Sequence, residues 1–474
     1  MVRPVRQAQG KQSFPREDSG QAPRVVRNLA KECNDLIGKH VLLRGWVERT
    51  RTHGKVAFFD FRDRSGIIQV TAHEDLAPKI AELSLQDVVE VEGEVRSRDE
   101  KYINPEIETG KIEVHLEKLT IISKAAEMPF DMGGKDLNLE LPTLLDFRAL
   151  TLRHSKIAPI FKVQEVVIDS FRKSLKNKDF TEFQAPVIIP QTAEGGSEVF
   201  EVKYFGEKAF LAQSPQFYKQ ILVGVYERVF TVNKTLRAEP SVTTRHLTEV
   251  TTLDAEFGFI DSWTELMDMA EYVIKTILGD VERECKKVLD LYKVSIPKVS
   301  YPIPRIKLRE AQEIIFKRTG HDVRQEPDLA PDDEREICKW SFSEKNSELI
   351  FITHYPVEKR PFYTLEDPND SGYTLSFDLL GRGTEWMTGS QRINEHDILI
   401  KKAQDRGINI KKSELYLQAF RYGMPPEGGF SFGSERIVMG VLDLSNIREA
   451  SLFPRDMERI DQRFSAQSDV SSKK

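Results

Sequence analysis

Between Phe210 and Glu256 one short polar segment carries Arg237, Glu239, Arg245, His246 and Glu249, flanked by the apolar runs Val229–Val232 and Val250–Leu253. Two such runs around a charged segment predict antiparallel strands joined by a charged loop. The residue types suit a polyphosphate. A guanidinium such as Arg237 grips phosphate oxygens through a two-pronged fork, Glu239 can accept from an exocyclic amine, and Arg245 with His246 offsets charge at the far end of a triphosphate. A solvated hairpin tip has a similar composition, so this loop by itself leaves both readings open.

Near the C-terminus, GMPPEGGFSFGSERIVMGVLDL sets Gly428, Gly429 and Gly433 where a backbone can approach a ligand closely, with Arg436 opening an apolar, helix-like run. Together the two stretches carry a resemblance. RAEPSVTTRHLTE resembles motif 2 and GFSFGSER motif 3 of class II aminoacyl-tRNA synthetases, and FTEFQAP, ending at Pro186, resembles motif 1. QSPQFYKQ and GTEWMTGSQR are similar to the aspartate-binding segments of aspartyl-tRNA synthetases. The resemblance runs from about Val25 to Asp456, and the spacing between motifs 2 and 3 is similar to that of the compact archaeal and eukaryotic type.

The resemblance implies ATP-dependent activation of L-aspartate, with Mg²⁺ as cofactor, and transfer of the aspartyl group to the 3′ end of tRNA-Asp. Whether tRNA-Asn is also a substrate stays open: Glu48 stands at the anticodon discriminator position and matches neither familiar form. By the same resemblance Arg237 is the catalytic residue, bridging the aspartate carboxylate and the α-phosphate. Glu239 reads the adenine, and Arg245, His246 and Leu247 border the ATP site. Gly433, Ser434, Glu435 and Arg436 close that site from the opposite side, while Glu385 and Thr388 hold Mg²⁺. Arg392 and Lys219 grip the substrate side-chain carboxylate, Glu194 the α-ammonium, and Gln216 supports the bound amino acid. Phe58 and Gln69 meet anticodon bases. Trp386, Met387, Ser390, Ser431, Ser434 and Glu427 depart from the family pattern around the adenine and amino-acid pockets. The alternatives are an asparagine synthetase-like ligase on the same core, which would lack an anticodon barrel, and a catalytically inactive RNA-binding paralogue, against which the intact charged residues argue.

The elements that must position these residues give an α+β chain: an N-terminal OB-fold β-barrel, then a class II catalytic domain on an antiparallel sheet with flanking helices. Residues 1–24 read as a disordered basic tail, since few large apolar side chains are there to offset ordering entropy. Residues 25–126 offer about five short alternating strands, with a helix-like segment, Asp75–Leu83, between the third and fourth, as in an OB-fold. Trp46 and Phe59 are expected in its core, and Phe58 and Gln69 on its RNA-reading face. Residues 127–154, rich in Gly and Pro, read as a hinge before a catalytic domain over 155–474. There the pattern predicts a helix through Ile160–Leu175, a strand Phe180–Ile189, and a long helix after a capping signature at Ser262–Glu265. It also predicts an acidic, solvated loop at Gln325–Glu336. The motif 1 region implies a homodimer.

Composition sets bounds on the rest. With 69 basic and 75 acidic residues the net charge is −6, so RNA contact must rest on local patches and not on a global field. Three dispersed cysteines fit neither a disulfide framework nor a paired-ligand zinc site and suggest the cytoplasm. No apolar run is long enough to predict a membrane span.

Overall fold

The computed structural model describes residues 26–464 apart from 54, 135, 192–198 and 241–242. The expected N-terminal tail and Glu194 lie outside the described residues. Contacts divide the chain into two units, one ending at Leu137 and the other beginning at Asn138.

The first unit is a closed five-stranded barrel. Strands β1 (His40–His53), β2 (Val56–Asp63), β3 (Gly66–His73), β4 (Val88–Ser97) and β5 (Ile112–Ser123) close in the order β1-β2-β3-β5-β4, with helix α1 (Ala77–Ala81) between β3 and β4. Strict alternation explains the closure. Along β2, Ala57, Phe59, Phe61 and Asp63 are buried while Val56, Phe58, Asp60 and Arg62 stay partly exposed. Phe59 fills the core as expected. Trp46 does not: it is half-buried on the outer face, with the Arg62 guanidinium 4.9 Å from its ring centroid. Along β1, Val41, Leu43 and Val47 point inward, so the period of two sends Trp46 outward with Arg44, and the β-bulge between Val47 and Arg49 comes only after it.

The second unit opens with short helices α2 (Leu141–Asp146) and α3 (Arg148–Thr151) and the long α4 (Ala158–Lys176). The hinge expected over 127–154 is therefore too long. Buried Arg148 donates to the carbonyls of Leu452 at 2.8 Å and Ser451 at 2.6 Å, and Asp146 accepts from Arg459 at 2.6 Å, so these helices are stitched to the C-terminal segment. Helix α4 starts with a proline in its first turn and buries Ile160, Val163, Val167 and Phe171 on one stripe. The strand expected at Phe180–Ile189 is broken into β6 (Thr181–Glu182) and β7 (Ile188–Ile189), which join different sheets around Pro186, a residue with no N–H to give a ladder.

Next come β8 (Glu201–Tyr204), β9 (Glu207–Leu211), α5 (Gln216–Tyr226), β10 (Arg228–Leu236) and β11 (Glu249–Gly258). Helix α6 (Thr264–Glu284) begins where Glu265 accepts from the Ser262 N–H at 2.9 Å, and α7 (Lys286–Tyr292) follows. The remaining elements are β12 (Arg305–Lys307), α8 (Leu308–Thr319), α9 (Pro331–Lys345), β13 (Leu349–Thr353), β14 (Ser376–Gly381), β15 (Thr384–Gln391), α10 (His396–Asp405), α11 (Glu414–Arg421), β16 (Glu427–Gly433) and α12 (Ser434–Leu442). The acidic segment 325–336 is thus not simply a solvated loop, because its end forms the first turn of α9, where acidic residues favour a helix N-terminus. Eight strands form the main sheet in the order β12-β13-β14-β15-β16-β11-β10-β6. Helices α4, α6 and α12 bury their apolar stripes with one face of it, against Leu253, Ala255, Phe430 and Phe432. The opposite face is left to polar chemistry.

Candidate active site

On β11, Thr252, Asp254 and Glu256 alternate with the core residues Leu253, Ala255 and Phe257, so both carboxylates project to the polar face. Helix α5 brings Lys219 over them: its Nζ lies 3.2 Å from Asp254 and 3.0 Å from Glu256, with the lysine side chain 2% exposed. From the end of β15, Arg392 clamps the same Glu256 through Nε at 2.7 Å and Nη2 at 3.3 Å, and also donates to Ser390 and to the Gly429 carbonyl. Burial alone would raise the Glu256 carboxyl, but Arg392 and Lys219 outweigh it and hold it at about 2. Gly429 is obligatory, since a Cβ there would lie 2.1 Å from the Glu256 carboxylate. Ser390, an apparent departure in sequence, acts as an acceptor that orients Arg392.

Above this acid-and-base floor opens a cleft of about 310 Å³. Gln216 and Lys219 line one end, and Arg237, Glu239, Arg245, His246 and Leu247 come from the β10–β11 connection. Glu385, Thr388, Gly433, Glu435 and Arg436 also border it. Arg237 lies 3.7 Å from Glu239, which His246 approaches at 3.7 Å; burial chiefly pushes the His246 imidazole below its usual range. Arg436 donates to the Glu385 carbonyl at 2.9 Å and lies 3.2 Å from its carboxylate. Two expected ATP contacts are already bonded within the protein. Ser434 accepts from Gln164 at 3.3 Å and is buried at the start of α12, and the Glu435 carboxylate accepts from the Thr251 N–H at 3.1 Å.

Glu385 and Thr388 are three residues apart and would face opposite sides of a regular strand. The register of β14 against β15 jumps from Leu379↔Met387 to Leu380↔Glu385, leaving Trp386 as a bulge. That extra residue turns both to the cleft and sends the Trp386 indole into the core against Gly381 and Gly440. Asp378, paired in register with Thr388, has a buried Oδ1 without a hydrogen-bond partner among the described residues. These hard oxygen donors fit Mg²⁺. Arg360 balances their charge, donating to Asp378 at 2.7 Å and to Thr388 at 3.1 Å. Another metal-like cluster, His354, Asp367 and Asp370, lies outside the cleft lining, and Lys307 and Arg309 already engage Asp370.

Sequence reasoning missed several residues here. Glu334, in the first turn of α9, pairs with Arg245, whose guanidinium also donates to the Gly383 carbonyl at 2.5 Å. Burial, with Glu385 nearby, lifts the Glu334 carboxyl to about 7 despite Arg245. Asp254 and Glu256 were signalled only by two acids alternating within a buried strand.

Residues 140–457 match the family described as tRNA synthetases class II (D, K and N). The chain belongs to this family. Residues 41–122 of the synthetase match the OB-fold nucleic acid binding domain. Its relatives include an "Aspartate--tRNA(Asp/Asn) ligase" of Aeropyrum pernix, 38% identical over 92% of this chain and 99% of that one. An "Aspartate--tRNA(Asp) ligase" of Pyrococcus abyssi is 39% identical over 90% and 97% of the two chains. Among solved structures, asparaginyl-tRNA synthetase from Pyrococcus horikoshii with asparaginyl-adenylate superposes with a TM-score of 0.83 at 32% identity, covering 92% of the synthetase and 99% of that chain. Aspartyl-tRNA synthetase from Entamoeba histolytica gives a TM-score of 0.81 at 25% identity, covering 95% of each chain.

The barrel presents its own polar face. Phe58 stands beside Arg51 and Thr71 in register, and Asp60 beside Arg49 and Gln69. Gln69 donates to Glu113 at 2.9 Å, Arg51 donates to Asp60 at 2.6 Å, and Glu48 is tied to Arg62 and Gln86. A half-buried aromatic among fixed donors is a surface on which a single-stranded base can stack.

Proposed function

We propose that the chain is an aspartate–tRNA ligase. The observation that carries this is the pair of buried cations, Lys219 and Arg392, converging at the floor of a cleft whose upper walls hold Arg237, Arg245 and Arg436. Such an arrangement suits a dicarboxylic amino acid below a triphosphate. An oxygen of the aspartate α-carboxylate attacks the α-phosphorus of ATP, the bond to the β-phosphate breaks, and pyrophosphate leaves. A ribose hydroxyl of the tRNA 3′ end then attacks the acyl carbon, losing its proton as AMP departs. This chain supplies positioning and charge more than proton transfer. Arg237 spans the α-carboxylate and α-phosphate, Arg245 meets the far phosphates, and Arg436 covers the adenine, whose amine Glu239 accepts. Glu385 and Thr388, with Asp378, hold Mg²⁺, which when bound supplies positive charge to the phosphate oxygens.

The barrel serves as the anticodon reader through Phe58 and Gln69, so tRNA-Asp is the assigned partner. Among the described residues no helix is long and apolar enough to cross a membrane, and the three cysteines are free and buried, which supports a reducing cytoplasm. Exposed Val187 and Ile188, beside the motif 1 segment, support a homodimer. Charging tRNA-Asp and tRNA-Asn transcripts side by side with labelled aspartate and labelled asparagine tests the whole reading. Aspartate attached to tRNA-Asp is the expected result; attachment of asparagine alone, or of neither, would overturn it.

A further inference from the structure

Behind the cleft floor, at the first residue of β16, Glu427 is 0% exposed. It does not line the cleft, yet four elements converge on it. From β11, the Glu256 carboxylate sets its negative charge against it; from the end of β15, Arg392 adds a positive one; and from α5, Gln220 Nε2 donates to Glu427 Oε1 at 2.6 Å, while the buried Oε2 has no hydrogen-bond partner among the described residues. From α11, Tyr416 approaches the same group and donates to Gln220 Oε1 at 3.1 Å.

These bonds have a direction. With its N–H groups turned to Glu427, Gln220 must offer its oxygen the other way, and that oxygen accepts from Gln216 Nε2 at 2.9 Å. Gln216 Nε2 also reaches Glu256 Oε1 at 3.4 Å. The amide nitrogen of Gln216 is thus committed to the protein, and its oxygen is the end left for the cleft that Gln216 lines. An acceptor at that point recognises a donor on the bound amino acid, such as an α-ammonium.

We propose that Glu427 is a positioning residue for amino-acid selection, setting through Gln220 which end of the Gln216 amide faces the cleft. Two buried carboxyls side by side cannot both ionise, and the neighbouring cations, Lys219 and Arg392, are already matched by Asp254 and Glu256. Glu427 therefore keeps its proton, burial and the adjacent Glu256 pushing its carboxyl well above the ordinary range. Its Oε1 accepts from Gln220. The consequence concerns charge: Lys219, Arg392, Asp254 and Glu256 sum to zero, and a neutral Glu427 lets the pocket admit an anionic side chain without stacking a third buried negative charge beneath it.

This inference rests on the reading of the cleft as an aspartate pocket. The test is aspartate-dependent ATP–pyrophosphate exchange by the full-length protein, with KM for aspartate, KM for ATP, kcat and melting temperature recorded for each variant. Glu427→Gln, which can accept and donate as the neutral acid does, is expected to keep KM for aspartate within about threefold of wild type at every pH from about 6 to 8. Glu427→Ala is expected to raise KM for aspartate about 10- to 100-fold while KM for ATP and kcat stay near wild type. If that variant does not fold, Gln220→Met, which removes the intermediary and keeps the acid, is expected to show the same selective rise. An unchanged KM for aspartate in both disrupting variants, or a Glu427→Gln enzyme as impaired as Glu427→Ala, would overturn the role of Glu427. No aspartate-dependent exchange in the wild type would overturn the aspartate reading itself.

Discussion

Replacing Arg392 with alanine removes the most heavily engaged cation of the proposed pocket, and the structure sets the size of the effect. Its guanidinium makes two charge-assisted bonds to Glu256, at 2.7 and 3.3 Å, and donates to Ser390 and Gly429. A hydrogen bond to a charged group contributes about 1.5–3 kcal/mol, so a two-pronged grip on a substrate carboxylate corresponds to about 3–6 kcal/mol, or roughly 10²- to 10⁴-fold in kcat/KM for aspartate. The folded state also loses a partner of a fully buried carboxylate, a change that costs about 3–5 kcal/mol when nothing compensates. Lys219 stays 3.0 Å from Glu256, so the lower end of that range is expected and the protein should fold with a reduced melting temperature. Aspartate-dependent pyrophosphate exchange, run well below that temperature, reads the first quantity, and direct ATP binding serves as control. Nucleotide affinity should be retained. Arg392→Lys, which keeps the charge without the fork, should recover part of the loss. A folded Arg392→Ala enzyme with kcat/KM for aspartate within about fivefold of wild type would refute the assignment, because no single charge-assisted contact is that weak in a dry pocket.

Three further outcomes follow from the same geometry. Glu385→Gln exchanges a charged oxygen donor for a neutral one and should raise the Mg²⁺ concentration needed for adenylate formation; an unshifted metal titration would remove Glu385 from the ligand set. Phe58→Ala should weaken tRNA charging by about tenfold or more, one stacking contact being worth about 1–3 kcal/mol, while sparing exchange; early melting with anticodon preference intact would return Phe58 to a packing role. For Glu334, whose carboxyl stands at about 7 in the folded protein against 4.5 ordinarily, the folded state holds more protons than the unfolded one between those values. Its stability contribution is present below the lower value and lost as pH rises through the upper one, so denaturation measured from pH 4.5 to 7 should show a decline that Glu334→Gln flattens. Equal slopes in the two proteins would show that Glu334 is not the titrating group.

The sequence by itself determined the local elements and the reaction class. Apolar runs on either side of Arg237 and Arg245 made a hairpin, alternation in Val56–Asp63 made a barrel strand, and the resemblance of the motif segments to class II synthetases pointed to ATP and aspartate. Those signals are local, because a strand or helix period says which face of an element is apolar. It does not say what that face will meet. The order β15-β16-β11 was needed to put Arg392, Gly429 and Glu256 side by side, although Glu256 lies 136 residues from Arg392 in the chain. The bulge at Trp386, which turns Glu385 and Thr388 to one side, exists only in the pairing of β14 with β15. Glu334 read as one acid among many in a polar stretch until the start of α9 was packed under Arg245. Glu427 stood out only as an odd substitution, and its surroundings follow from four elements closing over it, where exclusion of water makes the proton and the direction of each amide a property of the packing.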